Sequence, residues 1–389
     1  MPHSQGYDAG GLFYFRQLAR LARLGCDVHA VDLLGHGLSS RPQFKGTTRE
    51  QGEAFYTDAL QHWAEAQGLE SYVLMGHSFG GYVSACWALA HPTRCLRLIL
   101  VGSAGMETHN RACLGHNGQP WGLEGPALEA FNALWYAIQP QAVVRMAGPL
   151  GPSIAADYIQ RKFGPRSAGG HLSEPESEAL QQYCFHCLAG GGRGAVANPP
   201  PHHALFFGPG AKCYAPLASR LDDLECPIAF VYGLYDWMDW RDADRVRHTL
   251  SRPATLSLVE NAGHHVYLEN PEGFHDALAT AMADFLPDGP ASAAPQWAST
   301  TFPGSGAHHR KQGSGYVPGA GKNQPGAPLQ PPQLFFGICR YPSGFEDAAV
   351  DEELELVLAD VEAECEPGSN KTGAVPYSDR HKDFSLHSN

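Results

Sequence analysis

The chain has 389 residues and a formal net charge of −13, a balance that argues against a nucleic-acid partner because such binding requires a basic stripe. Its ten cysteines are scattered without a regular framework, which favours a reducing compartment over a disulfide scaffold. The opening residues lack the pattern of a secretory signal, and no apolar run approaches the ~18 residues of a transmembrane segment. We therefore expect any contact with membranes to be peripheral.

Predicted helices and strands alternate on both sides of a central interruption. The predicted helices are 12–24, 48–67, 81–91 and 242–250, and the predicted strands are 28–33, 72–75, 96–101, 227–232 and 255–259. This alternation places parallel strands in one sheet with helices on both faces. The sequence thus predicts the α/β class.

The alternation and the composition divide the chain into four segments. We expect a core made of residues 1–105 and 226–286, with a helical cap inserted at 106–225. Residues 287–389 form the tail. Within the cap, helices are predicted at 127–138 and 173–188. Their aromatic side chains either line an acyl pocket or pack as ordinary core.

The tail is rich in Ala, Gly, Pro and Ser up to about residue 332 and shows no periodicity there. Such a composition cannot bury enough apolar surface to order itself, so we predict disorder. The acidic segment 346–366 interrupts the tail with apolar residues at helical spacing. It is either a helix that docks on a partner or a solvated helix of marginal stability.

Residues 72–82 predict a nucleophile elbow. An apolar run ends at Gly76, and a G-x-S-x-G pattern centred on Ser78 is followed by a helix-compatible run. Gly76 and Gly80 flank the serine because larger side chains there would collide, and the turn strains Ser78 while exposing its Oγ. The alternative is a glycine turn with an incidental serine.

A serine nucleophile needs a base, and the base needs an orienting carboxylate. Asp236 follows a predicted strand, at the sheet edge where the sites of open α/β sheets gather, and Asp239 is its rival. His264 follows the next predicted strand, with His265 as its competitor. The chain order Ser, Asp, His is that of α/β-hydrolases.

The oxyanion of the tetrahedral intermediate needs two donors. The elbow supplies one from the backbone N–H of Phe79, and we expect the second from the N–H of Tyr7, although the loop around Tyr7 could equally be an ordinary turn. Cys184 and Cys187 have suggestive spacing, but no second pair accompanies them. We therefore predict no metal site.

Five motifs together resemble α/β-hydrolase domain proteins 4 and 5, particularly the plant and algal members. They are residues 33–42, 76–82, 148–152, 232–238 and 263–267. The resemblance covers about residues 5–286 and implies a lipid enzyme, a lysophosphatidic acid acyltransferase with phospholipase or lipase side activities. Ser78, Asp236 and His264 occupy the positions of the family's catalytic triad.

The resemblance also implies partners and a place of action. The substrates would be lysophosphatidic acid, phospholipid or acylglycerol, with acyl-CoA as a co-substrate and no cofactor. The protein would be cytoplasmic, at the surface of lipid droplets or membranes, with the mitochondrial surface as an alternative. Its phosphate-bearing substrate would require cations, for which the candidates are Arg41, Arg145, Arg161 and Lys162.

The sequence departs from the family pattern at three places. The acyltransferase motif begins at the catalytic histidine and ends in Asp, whereas here His264 is followed by Glu269, whose longer reach predicts weaker transfer. Gln5 precedes Gly6 where the family has His. The strand expected before Gly6 is missing. In this fold that strand lies in mid-sheet, between strands 28–33 and 72–75, so its absence would leave buried backbone groups unpaired. We therefore expect either that Met1 is not the natural start of the protein or that the protein is unstable.

Two other functions remain compatible with the sequence. One is a scaffold without catalytic activity that recruits a lipase through its cap and tail. The other is a small-molecule esterase or haloperoxidase-like enzyme. Reaction with a fluorophosphonate would separate the scaffold from either enzyme.

Overall fold

The computed structural model describes residues 3–4, 10–37, 39–106, 126, 144–164, 172–189, 205–207, 212–213, 215–286, 333–334 and 337–341. The helices of these ranges are α1 (Phe15–Arg23), α2 (Arg49–Ala66), α3 (Phe79–Ala90), α4 (Gly151–Phe163), α5 (Glu174–Ala189), α6 (Trp240–Arg247), α7 (Val266–Glu269) and α8 (Pro271–Ala281). The strands are β1 (His3–Ser4), β2 (Asp27–Ala30), β3 (Tyr72–His77), β4 (Cys95–Val101), β5 (Phe206–Phe207), β6 (Lys212–Cys213), β7 (Ile228–Gly233), β8 (Ala254–Val259), β9 (Gln333–Leu334) and β10 (Gly337–Tyr341).

The main sheet confirms the α/β prediction. Its strand order is β10-β2-β9-β3-β4-β7-β8, with β1 also paired to β3. All pairings are parallel except that of β10 with β2. Strands β3 and β7 are buried along their whole length, as expected for a parallel sheet covered on both faces. The carboxyl ends of β3, β4 and β7 therefore meet at one edge.

Local sequence signals account for the ends of the helices. Thr48 caps α2 with Gln51 in a capping box, which satisfies two otherwise orphaned amides. Gly25 follows α1 with φ +81°, a left-handed conformation that glycine adopts without strain. The predicted helix at 127–138 and the predicted acidic helix at 346–366 lie outside the described residues.

Two short strands share the mid-sheet position between β2 and β3. Leu334 of β9 pairs with both Val28 and Val73, and β1 pairs with the other end of β3, with His3 opposite Met75. The expectation that this position lacks pairing is therefore wrong. Strands β9 and β10 lie just beyond the segment up to residue 332 that is predicted to be disordered, and they supply hydrogen-bond partners to the backbone of β2 and β3.

Helices α4 and α5 come from the segment predicted as the cap. They are joined by a hydrogen bond from Gln160 to Ser177 (3.0 Å), and Phe163 is buried at the end of α4. Arg16 of α1 makes a two-pronged ion pair with Glu176 of α5, at 2.9 and 2.7 Å. This pair fastens α5 to the core, close to the C-terminal edge of the sheet.

Candidate active site

Ser78 lies in a strained turn between β3 and α3. Its φ of 53° and ψ of −121° are unusual for a residue with a side chain, and they match the predicted elbow. A Cβ on Gly76 would lie 2.4 Å from the carbonyl oxygen of Gly80, so the turn requires glycine there. The Ser78 amide donates to the Val101 carbonyl at 2.9 Å, and its carbonyl accepts from the Ala104 amide at 3.0 Å.

The expectation of an exposed serine is corrected by the structure. Ser78 is only 8% exposed. The loop after β4 closes over the turn through the bond from Ala104, and the serine is covered as a result. The hydroxyl-bearing residue is thus buried and not on the surface.

The carboxylate of Asp236 is directed at His264. Asp236 Oδ1 lies 2.8 Å from His264 Nδ1, and it also accepts from the Met238 amide at 2.9 Å. Both side chains are buried, which strengthens their interaction. The rival Asp239 instead caps α6, where it accepts from the Arg241 amide at 3.0 Å.

The two adjacent histidines have different surroundings. His264 packs on the ring of His77 at 4.5 Å between centroids, and its carbonyl oxygen lies 2.8 Å from His77 Nε2. His265 Nδ1 lies 2.7 Å from the hydroxyl of Tyr267. Burial, with the charge of nearby Lys162, lowers the pKa of His265. Only His264 is bonded to the Asp236 carboxylate.

Gly102 shows how closely the three groups converge. A Cβ there would lie 2.6 Å from Asp236 Oδ2 and 3.2 Å from His264 Nδ1. The preceding residue, Val101, holds the Ser78 amide. Within the described residues no hydrogen bond joins Ser78 Oγ to His264, an arrangement that is common before substrate binds. The fold thus gathers a strained serine, a histidine and a buried carboxylate at one edge of the sheet.

Comparison with known proteins gives the same assignment as the geometry. Residues 4–271 match the family described as alpha/beta hydrolase fold. The chain belongs to the α/β-hydrolase family. The α/β-hydrolase topology also agrees with a solved structure from Pseudomonas aeruginosa, a probable hydrolytic enzyme, at a TM-score of 0.51 and 20% identity over 72% of this chain and 84% of that one.

The resemblance to α/β-hydrolase domain proteins 4 and 5 is confirmed by curated relatives. A probable 1-acylglycerol-3-phosphate O-acyltransferase of Oryza sativa is 38% identical over 285 residues, 72% of this chain and 66% of that protein. The Sus scrofa 1-acylglycerol-3-phosphate O-acyltransferase ABHD5 is 30% identical over 64% of this chain and 67% of its own. A (lyso)-N-acylphosphatidylethanolamine lipase of Bos taurus is 28% identical over 64% and 69%. The match thus spans slightly less than two thirds of the rice relative.

In this α/β-hydrolase, Glu269 holds the loop that carries His264. Its Oε2 accepts from the Gly263 amide at 2.6 Å and its Oε1 from the His265 amide at 3.2 Å. These two amides are on either side of His264, so the carboxylate fixes the peptide groups that orient the imidazole. In the sequence Glu269 ends the motif that begins at His264, and these bonds show that it supports the loop on which His264 lies.

The structure describes one of the two predicted oxyanion donors, Phe79. Phe79 is the first residue of α3, and its ring packs on Tyr56 at 5.2 Å and on His36 at 5.9 Å. Its amide therefore lies at a helix N-terminus, the positive end of the helix dipole. Tyr7 lies outside the described residues.

The sequence analysis missed Asp32, which anchors the 3-10 turn ahead of α1. Its Oδ1 accepts from the Gly11 amide, the first of that turn, at 2.8 Å. The side chain is buried. The signal that could have revealed it is a carboxylate directly after an apolar strand, since such a buried charge requires a donor.

The four candidate phosphate-binding cations differ in their hydrogen-bond and ion-pair partners. Arg41 donates to the carbonyl oxygens of Gly37, Ser39 and Cys187, so its guanidinium stabilises the loop and α5. Arg161 pairs with Asp157 one turn away, and its side chain is 78% exposed. Arg145 is partly exposed ahead of α4. Lys162 lies next to Phe163, whose ring packs on His265 at 5.3 Å, and its charge helps to lower the pKa of His265.

The remaining site predictions concern metals and membranes. Cys184 and Cys187 are both buried on α5. Among the described ranges, no group of three or more His, Cys, Asp or Glu side chains could hold a metal ion. No helix in the described part of the chain is both long enough and apolar enough to span a bilayer.

Proposed function

We propose that this α/β-hydrolase is a serine-dependent lipid acyl-ester enzyme that transfers acyl groups to lysophosphatidic acid and also hydrolyses lipid esters. The observation that carries this proposal is the 2.8 Å contact of Asp236 with His264 beside the strained Ser78. The names of the curated relatives support the substrate class, since two of them are 1-acylglycerol-3-phosphate O-acyltransferases and one is a lipase.

The first half-reaction forms an acyl-enzyme. Asp236 occupies Nδ1 of His264, so Nε2 takes the Ser78 hydroxyl proton as Oγ attacks the carbonyl carbon of the acyl donor. The amides of Phe79 and Tyr7 stabilise the oxyanion of the tetrahedral intermediate. The intermediate collapses when the bond to the leaving group breaks, and His264 returns the proton to that alcohol or thiol. The donor is acyl-CoA, phospholipid or acylglycerol.

The second half-reaction decides between hydrolysis and transfer. His264 removes a proton from the acceptor, whose oxygen attacks the acyl carbon, and Ser78 recovers that proton as the ester breaks. Water as acceptor releases a fatty acid, whereas the hydroxyl of lysophosphatidic acid gives phosphatidic acid. Both outcomes use the same three side chains. Their ratio therefore depends on which acceptor reaches the ester first.

A phosphate-bearing acceptor requires a cation near this acyl group. Lys162 satisfies that requirement best among the four candidates, because it precedes Phe163, whose ring packs edge-on against His265 at 5.3 Å, and its charge acts on His265. Arg41 is engaged with backbone carbonyls, and Arg161 with Asp157. We therefore assign phosphate recognition to Lys162, with Arg145 as a second contributor.

The lipid substrates place the enzyme at a lipid surface. Long-chain lysophosphatidic acid and acyl-CoA partition into bilayers, so an enzyme that uses them acts at the surface of membranes or lipid droplets. We propose a cytoplasmic protein that binds such surfaces peripherally. The mitochondrial surface is one membrane on which it would find these substrates.

Replacement of Ser78 tests the proposal directly. Ser78→Ala should lower turnover of both hydrolysis and transfer by ~10⁴-fold, because the covalent step is lost, while the fold is retained. Labelling by a fluorophosphonate should disappear with the same change and persist in Ser219→Ala, an exposed serine in a 3-10 turn. More than a tenth of wild-type turnover in Ser78→Ala would end the covalent mechanism. A folded wild-type protein that resists the label would instead support a scaffold.

A further inference from the structure

An apolar ridge on α4 and the residues before it faces outward rather than inward. Met146 is 83% exposed, Leu150 67%, Ile154 38% and Tyr158 45%. Leu150, Ile154 and Tyr158 are four residues apart and lie on neighbouring turns of one side of α4 and its N-cap, and Met146 precedes them across the 3-10 turn Gly148–Leu150. Ala155, Ile159 and Phe163 lie about 100° round α4 from this ridge and are fully buried. Among the described residues, α4 therefore has one buried apolar face and, beside it, an exposed one.

The ridge also lacks charge over most of its length. Residues 146–156 include no Asp, Glu, Lys or Arg, and Ser153 is the one hydroxyl among them. Large exposed apolar patches are uncommon on soluble proteins and mark sites of contact with a partner or a membrane. These four side chains also account for four of the seven large hydrophobic residues that are exposed in the described ranges.

The charges at the two ends of this segment indicate what it contacts. Arg145 precedes the ridge, and Arg161 and Lys162 end it, against a single carboxylate, Asp157. The region is thus locally cationic in a chain whose formal net charge is −13. Apolar side chains bordered by cations are the pattern of a segment that lies on an anionic lipid surface.

The ridge leads directly to the candidate active site. Tyr158 is close enough to Tyr267 to influence the ionisation of its hydroxyl, and Tyr267 packs edge-on against His77 at 5.1 Å. Lys162, one turn beyond Tyr158, acts on His265. A lipid surface held by the ridge would therefore lie a few side chains away from His264 and His265.

We propose that the ridge formed by Met146, Leu150, Ile154 and Tyr158 is the surface through which this enzyme docks on bilayers that contain anionic phospholipid. Arg145 and Arg161 contact the headgroups while the ridge enters the acyl-chain boundary, since the exposed pair of Arg161 with Asp157 is weak enough to exchange for a lipid phosphate, and Lys162 stays with the substrate. The inference rests on the proposed function for its lipid substrates. It adds the surface through which the enzyme binds the lipid layer.

Vesicle binding of the full chain tests this surface. The probe is a suspension of phosphatidylcholine vesicles with and without phosphatidic acid, and the variant is the double change Leu150→Glu and Ile154→Glu. The change replaces two aliphatic side chains that the bilayer would bury with carboxylates. The partition coefficient of the protein between vesicles and water should therefore fall roughly 10- to 100-fold. Arg161→Ala should weaken binding roughly fivefold on anionic vesicles and much less on pure phosphatidylcholine. The matched control is Leu258→Glu, which changes an exposed leucine on β8.

The readouts separate this inference from the proposed catalytic function. Hydrolysis of a water-soluble short-chain ester should be unchanged in the double variant, which also shows that it folds, whereas turnover of lysophosphatidic acid in vesicles should fall with binding. Equal vesicle binding by the wild type and the double variant would overturn the docking surface while Ser78 chemistry stands. Self-association of the wild type that the double variant abolishes, without vesicle binding, would overturn it in favour of a second copy of the chain. Vesicle binding by a protein without Ser78 reactivity would refute the function and leave the surface intact.

Discussion

Glu269 is bonded to the peptide groups on both sides of His264, and this arrangement changes what the residue is expected to do. In the sequence Glu269 ends the motif that resembles the family's acyltransferase motif, and its longer reach predicts weaker transfer than an Asp at that position. The structure shows both carboxylate oxygens engaged by the amides of Gly263 and His265. Glu269 is therefore a positioning residue, and it acts on a histidine that hydrolysis and transfer both use.

Glu269→Gln should lower kcat for hydrolysis and for transfer together. One of the two acceptor oxygens becomes an NH₂ group that cannot accept, so the loop loosens and the imidazole is misplaced, an error that costs roughly 10- to 100-fold. KM should change little, and Glu269→Asp should restore part of the rate by keeping both acceptors. The assay contains acyl-CoA with labelled lysophosphatidic acid, and both products are read from one tube. A change confined to phosphatidic acid formation would place Glu269 at the acceptor instead.

The sequence identifies the residues proposed to react but not the side chains that hold the surrounding loops in place. The glycines of the elbow identify Ser78, and the order of residues along the chain identifies Asp236 and His264. Both signals can be read without knowing which residues meet in space. The choice between His264 and His265 depended on which ring reaches the Asp236 carboxylate, a contact over 28 residues that no local pattern encodes. Asp32 was missed for the same reason, since its partner, the Gly11 amide, is distant in sequence.

At the scale of elements, one charged cluster joins two helices to the chain that returns from the cap. Glu53 of α2 accepts from Arg220 at 2.8 and 3.1 Å and from the hydroxyl of Tyr82 in α3 at 2.7 Å. Burial alone would raise the pKa of Glu53, but the hydrogen bonds from Arg220 and Tyr82 lower it overall. The cluster thus fixes α2 and α3 relative to the 3-10 turns at 217–223, which precede β7.

Arg220→Met should destabilise the fold by about 2 kcal/mol, because it leaves a half-buried carboxylate with fewer donors. The matched control is Arg241→Met, whose pair with Asp239 is largely solvated and should contribute under about 0.5 kcal/mol. Urea denaturation of both variants measures the difference through the midpoint at constant slope. Equal midpoints for the two variants would show that the cluster contributes nothing beyond an ordinary surface pair.

The predicted elements agree with the structure most closely where burial and periodicity act together. Strand β3 and helix α2 have nearly the predicted bounds. Helix α3 begins at Phe79, two residues earlier than predicted, because the elbow passes from strand to helix within one strained residue. Strand β2 ends at Ala30 instead of residue 33, because the chain then turns to bring the Asp32 carboxylate to the Gly11 amide.

At the scale of the whole molecule, the sheet is completed by segments from the two ends of the chain. Strand β9 lies between β2 and β3, and β10 runs antiparallel along the outer side of β2, with Tyr341 opposite Val28. An apolar interruption of the tail at 334–336 is visible in the sequence, but its pairing with β2 is not, because that contact spans some 300 residues. Strands β9 and β10 pair with backbone groups of β2 and β3 that would otherwise lack hydrogen-bond partners, and this need accounts for their position in the sheet.

Deletion of residues 330–389 should therefore destabilise the sheet, whereas deletion of 345–389 should not. The longer deletion removes β9 and β10, so amides of Asp27–Ala30 should exchange with solvent faster and Tm should fall by roughly 5 °C. The shorter deletion leaves both strands and is the control. Hydrogen exchange by mass spectrometry resolves the peptide that contains β2. Identical protection in the two deletions would mean that β9 and β10 do not support the sheet.

The central claim is that an acyl group passes through Ser78 on its way to water or to lysophosphatidic acid. Mass spectrometry of rapidly quenched enzyme, incubated with acyl-CoA alone, tests it most directly. The account predicts an ester on the peptide that contains Ser78, formed as fast as turnover and discharged within one turnover time when lysophosphatidic acid is added, with phosphatidic acid as the product. Phosphatidic acid made at the full rate while Ser78 carries no acyl group at any time would contradict it.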